Sequence, residues 1–463
     1  MTADEKSSSA KTYPKPAYAW YVVVLMMCFY VLSFMDRQII AVLLDPIKDD
    51  LQLTDVQISL IGGVSFGLFY SVVGIFIGRL ADSMNRPMLI AAGVFIWSLT
   101  TALCGLAGKF WHLLFLRMGV GLGEAALLPS TLSLLKDYFP PARIATPTSV
   151  FLFGAPIGIG LAFAAGGLMY GVAQDITAAD GWNDVFFIGG SAAWKLVLLF
   201  LGIVGMVMTL GMFTVREPRI TNAAGTEKRA EHSLKTANAA ELPEVKAYAK
   251  KNWLPITSLY VGMALISLAA YAQGFWDVTY LTRTFGGDRG SVSFMYGMVQ
   301  MFAGMSGMFL GGYTADRLTR RGVEGSSFKL VVVGAAIATP FGFAYSVAGT
   351  EQLSLWLMVV AIFGTNICFA CAASAMQRMY PVAMLGLAAG VYFFMSNAVG
   401  LMVGPTVVAA LTDYYFVDPQ KVGYSLSIVG GCARLLAFVV FVIGMFSYVK
   451  LLRESERAPA STT

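Results

Sequence analysis

The feature that most limits what this chain can become is the spacing of its charges. Nine stretches hold no Asp, Glu, Lys or Arg: residues 56–78, 87–108, 144–174, 196–215, 252–276, 290–315, 330–350, 352–377 and 379–412. Each reaches or exceeds the roughly 20 residues that a helix needs to cross a bilayer core. Three further apolar segments, 18–44, 110–135 and 424–449, carry charges inside them. The pattern predicts twelve spanning helices. A transmembrane barrel would show short alternating segments instead, and none is sustained here. Only 13 % of the residues are charged, against about a quarter in soluble domains, so the expected class is an all-α polytopic membrane protein. The first apolar segment is too long, and lacks the small-residue cleavage site, for a removable signal peptide; it reads as the first helix.

Orientation follows from where Lys and Arg collect, because short cytoplasmic loops are enriched in positive charge. Basic residues gather in the N-terminal tail, in the turns after helices 2, 4 and 8, and at the C-terminus, while the opposite loops are rich in aspartate. Both termini are expected in the cytoplasm. A polar stretch at 218–251, with no apolar run of spanning length, separates an N-terminal six-helix bundle at 1–217 from a C-terminal one at 252–463. Its basic surplus obeys the same rule, so no nucleic-acid partner is expected. The five cysteines all fall within predicted helices, where they serve as small apolar residues. Cys368 and Cys371 spell C-x-x-C without a second Cys or His pair, and His112 and His232 are the only histidines. Neither a metal site nor a cofactor is expected.

An internal repeat supports the division. "GRLADSMNR" at 78–86 and "GYTADRLTR" at 312–320 share G-x3-D-x3-R, each at the cytoplasmic end of the second helix of its half. Gly78 and Gly312 permit close helix approach. Asp82 and Asp316 can accept from backbone N–H groups at a facing helix start. Arg86, Arg317 and Arg320 anchor the loops. A looser pair, "GAPIGIG" in helix 5 and "GLMVGP" in helix 11, sets Gly154, Pro156, Gly158 and Gly160 against Gly404 and Pro405, as tight packing and bending require. The alternative is ordinary membrane enrichment in Gly and Pro.

Six helices plus six with this duplicated motif resemble the major facilitator superfamily over nearly the whole chain. Within it, "FMDRQIIAVLLDPI" in helix 1 and "LRMGVGLGEAALLPS" in helix 4 resemble the spinster-like branch, whose animal members carry sphingolipid or lysophospholipid cargo. The resemblance implies two bundles rocking about a central cavity, with the G-x3-D-x3-R loops as cytoplasmic latches. Ser83 stands where an arginine commonly follows the first aspartate, which implies a weaker N-terminal latch.

The charges inside the apolar segments carry the functional reading. A charge near the centre of a span costs about 2.5 to 3.5 kcal/mol on insertion scales, so such residues face a cavity or pair with one another. Asp36 and Arg37 lie in helix 1; Arg117 and Glu124 lie two turns apart on one face of helix 4. Counting a rise of about 1.5 Å per residue from the outer ends puts Asp36 and Arg117 at similar depth, with Glu124 about 10 Å deeper. Asp36, Arg37, Arg117 and Glu124 are therefore read as a substrate-binding and proton-coupling site; the alternative is a static bridge that fastens helix 1 to helix 4. Further cavity candidates are Asp277, read as near the outer end of helix 7 with Arg283; Asn397; and Arg434, which either lines the cavity or reaches for the outer surface.

No nucleotide-binding loop occurs, so an ion gradient is the expected energy source. The expected function is proton-coupled transport of an amphiphilic, lipid-like substrate by a non-enzymatic monomer, with membrane lipids as neighbours. The alternatives are transport of a small organic anion or drug-like compound, and a membrane sensor or scaffold. Compact loops point to a bacterial inner membrane.

Overall fold

Apolar runs bounded by charged ends become long helices because a backbone in hydrocarbon must satisfy its own hydrogen bonds. The computed structural model describes residues 13–140, 143–179, 191–218, 241–381 and 384–457. We label the long helices α1 (Pro16–Val42), α2 (55–83), α3 (Arg86–Cys104), α4 (Phe110–Tyr138), α5 (Thr146–Ala178) and α6 (Ala193–Thr214). After a helix at Glu241–Lys251 come α7 (Trp253–Phe285), α8 (Arg289–Arg320), α9 (Ser326–Val347), α10 (Glu351–Met379), α11 (Leu387–Phe416) and α12 (Pro419–Glu454). A short helix, Leu44–Leu51, joins α1 to α2. No strand occurs among the described residues.

Eleven of these helices are long and apolar enough to cross a membrane, one fewer than the twelve expected. The exception is α8. At 32 residues it has the length, but its glycines, serines and glutamine dilute its apolarity. It packs between α5 and α10, and those small residues allow the approach: a Cβ on Gly297 would fall 2.5 Å from the Ala164 backbone nitrogen. Asp288 caps its start, accepting from the Ser291 N–H at 2.8 Å, and this bond holds its carboxyl below the usual range.

Within the first six helices α1 packs on α5, α3 on α4 and α6, and α2 on α4; within the last six α7 packs on α12, and α9 on α10 and α12. The two sets meet where α5 crosses α8, α1 crosses α7 and α2 crosses α11. At the last crossing both helices carry a π-helical turn, Leu60–Val64 and Ala398–Val403, and a Cβ on Gly63 would fall 2.6 Å from the Leu401 carbonyl.

The Gly and Pro motifs lie at such contacts. A Cβ on Gly154 would come within 2.9 Å of the Met27 carbonyl, one on Gly158 within 2.6 Å of the Val31 carbonyl, and one on Gly160 within 2.6 Å of Met301 Cβ. A Cβ on Gly404 would fall 2.5 Å from the Leu268 carbonyl oxygen, Pro156 is buried, and the Pro405 carbonyl accepts from Trp276 Nε1 at 2.9 Å. Gly312, by contrast, has nothing within 4 Å. Gly158→Leu is expected to destabilise the fold by about 1–3 kcal/mol through overpacking, lowering the thermal midpoint in detergent, while Gly312→Leu leaves it unchanged.

Candidate functional site

Helix α1 presents Ser33, Asp36 and Arg37 within slightly more than one turn, and α4 presents Arg117 and Glu124 two turns apart. The helices run antiparallel, and the pairing across them is set by helix rotation and not by depth, since Arg37, one residue nearer the membrane end away from the termini than Asp36, takes the deeper Glu124. Arg117 Nη1 donates to Asp36 Oδ1 at 2.9 Å, and Arg37 Nη2 donates to Glu124 Oε2 at 2.8 Å. The expected meeting of Asp36 with Arg117 is thus observed, and Arg37 is the arginine that takes Glu124. Two hydroxyls add to these pairs: Ser33 Oγ donates to Glu124 Oε2 at 2.7 Å, and Thr101 of α3 donates to Asp36 Oδ2.

None of these six residues is more than 6 % exposed, so water does not solvate the ions. Aromatic faces surround them. The Arg37 guanidinium lies 4.7 Å from the Phe34 and Phe66 ring centres and 4.6 Å from that of Tyr70, while Arg117 lies 5.6 Å from Phe66. Phe66 of α2 therefore contacts both cations, in the arrangement that cation–π attraction favours. Tyr271 of α7 also faces Arg37, which places the cluster where the two sets of helices meet. Capacity is left over: Glu124 Oε1, Arg37 Nε, and Arg117 Nε and Nη2 have no hydrogen-bond partner among the described residues. That is one acceptor and three donors directed into a closed, desolvated centre.

A second group of charges sits at the membrane end away from the termini. Arg283 of α7 donates to Asp45 at 2.7 Å and to Asp55 at 2.8 and 2.9 Å; Arg289 of α8 pairs with Asp45 and donates to the Val42 carbonyl at 3.0 Å. Lys48 reaches Asp55 at 2.5 Å, and the Val56 N–H donates to Asp413 of α11 at 2.9 Å. These contacts lock the two helix sets together. Sequence reasoning missed the lock, treating its aspartates only as topology markers. The available signal was "FGGDR" at 285–289: Gly286 and Gly287 have positive φ, and their turn brings Arg283 and Arg289 to one place.

The remaining candidates are dispersed. Arg86 is fully buried at the start of α3, where it pairs with Asp137 at 2.7 Å and with Glu217, and donates to the Ser133 carbonyl. Its G-x3-D partners fall outside what the structure describes: the side chain of Asp82 and the surroundings of Gly78. Asp316, Arg317 and Arg320 are exposed, with no side-chain hydrogen bond or ion pair among the described residues. Asn397 links α11 to α7 by accepting from Tyr271 Oη at 3.1 Å. Asp277 is not interfacial and does not meet Arg283. It is wholly buried, because α7 continues two further turns to Phe285. Arg434 does not reach for the surface either: it is wholly buried and donates to Gln273 Oε1 at 2.5 Å.

Removing one partner of a buried pair strands the other, at about 3–5 kcal/mol. Asp36→Asn and Arg117→Gln are each expected to lower stability by that order, and the double variant by clearly less than the sum. A thermal double-mutant cycle in detergent checks this.

Comparison with known proteins agrees with the geometry. The chain is 27 % identical to an MFS-type efflux pump of Mycolicibacterium smegmatis over 96 % of both chains, and 27 % identical to the sphingosine-1-phosphate transporter SPNS2 of Danio rerio over 90 % of this chain and 81 % of that one. A bacterial homolog of the human lysosomal transporter spinster, solved in an inward-facing, unoccupied conformation, superposes with a TM-score of 0.77 at 23 % identity, covering 96 % of this chain and all of that one. The family model described as Major Facilitator Superfamily matches residues 26–405, and the chain belongs to that superfamily of membrane transporters.

Proposed function

We propose that this transporter works by alternating access, is driven by protons, and moves an amphiphile with an anionic head group. The observation that carries the reading is the Arg37–Glu124 pair with its unused atoms. A carboxylate and two guanidiniums, dry and incompletely satisfied, form a place where a proton on Glu124 and an anion on Arg37 or Arg117 together replace the ion pair. When an anionic head group takes the arginine, Glu124 loses its partner and takes a proton; when the proton leaves, the pair reforms and expels the anion. The apolar tail lies along helix faces beside the aromatic rings of Phe34, Phe66 and Tyr70 that surround Arg37.

Residues 1–217 and 252–463 act as the two rocking bundles, with 218–251 as a linker and both termini in the cytoplasm. In that orientation the Asp45–Arg283–Asp55–Arg289 lock closes the outer side, and the chain is arrested facing inward. The protein works as a monomer in a bacterial inner membrane. A small organic anion as cargo is the second reading. It is favoured by similarity to the D-galactonate transporter of Escherichia coli, 24 % identical over 96 % of this chain and 98 % of that one.

In proteoliposomes Glu124→Gln is expected to abolish the response of uptake to an imposed pH gradient while retaining counterflow of labelled cargo. Full transport with unchanged pH dependence would remove Glu124 from the coupling. Inhibition by a lysophospholipid or a sphingoid phosphate, but not by galactonate, identifies the amphiphile; the reverse identifies the small anion. For the lock, Arg283→Gln is expected to increase labelling of Gln38→Cys, at the α1–α7 contact, by an impermeant maleimide added on the lock side. Unchanged labelling would show that the lock does not hold that side shut.

A further inference from the structure

The second set of helices contains its own buried charges, distant in sequence from the α1–α4 cluster and differently arranged. Asp277 of α7 accepts from Tyr345 Oη of α9 at 3.0 Å through Oδ1, while Oδ2 has no partner. Tyr296 of α8 and Gln273 of α7 also lie beside the carboxyl. The charged group facing it is Arg434 of α12, which is not paired with it. Arg434 instead spends one N–H on the neutral Gln273 amide at 2.5 Å and leaves Nε and Nη1 unused. Gln273 Nε2 is likewise unused. Asp277, Arg434, Tyr296 and Tyr345 are each wholly buried, and Gln273 is 3 % exposed.

A wholly buried carboxylate, ionised with one hydrogen bond and no cation in contact, has no physical support; a protonated carboxyl in the same place is neutral and needs none. An arginine cannot neutralise itself and must keep its charge. The best partner for each is the other, yet an amide stands between them. Gln273 and Asp277 are four residues apart on α7, so their side chains occupy the same face one turn apart. Arg434 need only shift about 6 Å along that face to exchange one for the other. Gly342 and Gly430 pack closely on the guanidinium, where added Cβ atoms would lie 2.8 Å from Cδ and 3.0 Å from Nη1, so the place of Arg434 depends on their lacking side chains; a π-helical turn, Ser427–Gly431, immediately precedes Arg434 in α12 and is where its helix can change register.

We propose that Asp277 and Arg434 form a second proton-binding site. Asp277 carries the proton while Gln273 holds Arg434, and releases it when the guanidinium moves onto the carboxylate. The O–H bond of Asp277 breaks, the proton passes to water on whichever side is then open, and an Arg434–Asp277 ion pair takes the place of the Arg434–Gln273 hydrogen bond. The groups facing Asp277 are Tyr345 of α9, Tyr296 of α8, Tyr280 of α7 and Arg434 of α12, with Cys368 of α10 beside Arg434. Arg434 alone among them is a permanent cation, so it controls the proton. The use of this site in transport rests on the proton-driven reading above; its existence does not.

Infrared difference spectroscopy of the full-length protein in lipid nanodiscs, titrated with pH, reads the protonated carboxyl directly. Asp277→Asn is expected to remove one protonated-carboxyl band that Glu124→Gln and Asp36→Asn both leave in place. Gln273→Leu removes the holder of Arg434 and is expected to weaken the same band at unchanged pH, with the chain still monodisperse. If Asp277→Asn leaves the spectrum unchanged, or if Gln273→Leu leaves the band untouched, the proposal fails. Should Asp277→Asn fail to fold, Arg434→Gln supplies the test: without the competing cation the band must persist to higher pH than in the wild type, and an unaltered titration overturns the idea. Wild-type uptake that ignores a proton gradient, together with the expected band, would defeat proton-driven transport and leave this site standing. Proton-driven uptake without the band would do the reverse.

Discussion

Hydrocarbon cannot solvate an ion, and the centre of this transporter is organised around that fact. Asp36, Arg37, Arg117 and Glu124 fold into the membrane only because α1 and α4 run antiparallel at a separation that joins each acid to a base. The pairing then dictates its surroundings. Thr101 must come from α3 and Ser33 from α1 to supply further carboxylate hydrogen bonds. Phe66 must come from α2 to cover the guanidinium faces. Four of the first six helices are tied to one another through charges that none of them could bury alone.

Such ties need not be strong. Replacing a buried ion pair by matched apolar groups is often neutral or stabilising, so a pair of this kind is a poor rivet. It is also incomplete here, with Glu124 Oε1 and three arginine N–H groups unused. A structural fastening gains nothing from unsatisfied atoms at its core, whereas a site that must exchange partners has to leave some of them free. The surplus argues for exchange more strongly than the bridges themselves do.

Much of this was legible in the sequence, for a physical reason: charges are so costly in a bilayer that their absence marks the spans and their presence marks the exceptions. The depth match of Asp36 with Arg117 follows from helical rise alone, since both lie near the same membrane end. Helix rotation does not follow from rise, so the choice of Arg37 for Glu124 was not legible. Asp277 was misplaced because the charge-free run ends at Trp276, although the helix persists to Phe285. Arg434 was ambiguous because its partner, Gln273, is neutral and carries no charge pattern. α8 was read as a span like the others, and its small residues and lower apolarity go with its close packing between two helices. The lock residues lie at the ends of long helices and in the short helix Leu44–Leu51, where the apolar pattern stops and hydropathy does not say which charges meet.

The two membrane ends differ in how their charges are used, and the difference bears on which end moves. At the end away from the termini, Asp45, Asp55, Arg283 and Arg289 belong to opposite helix sets and hold them together, with Asp55 wholly buried. At the other end Arg86 is equally buried, but Asp137, Glu217 and Ser133 all belong to its own helix set. Asp316, Arg317 and Arg320 are exposed there without such partners among the described residues. Among those residues, one end uses its charges to join the sets and the other to rigidify one of them. Between the two ends, α2 crosses α11 through a π-helical turn on each, where the intrahelical hydrogen-bond register is already displaced and bending is easiest. Under the proposed alternating access these paired turns are the fulcrum, set between the ionic clasp and an end where the described residues supply no cross-set clasp.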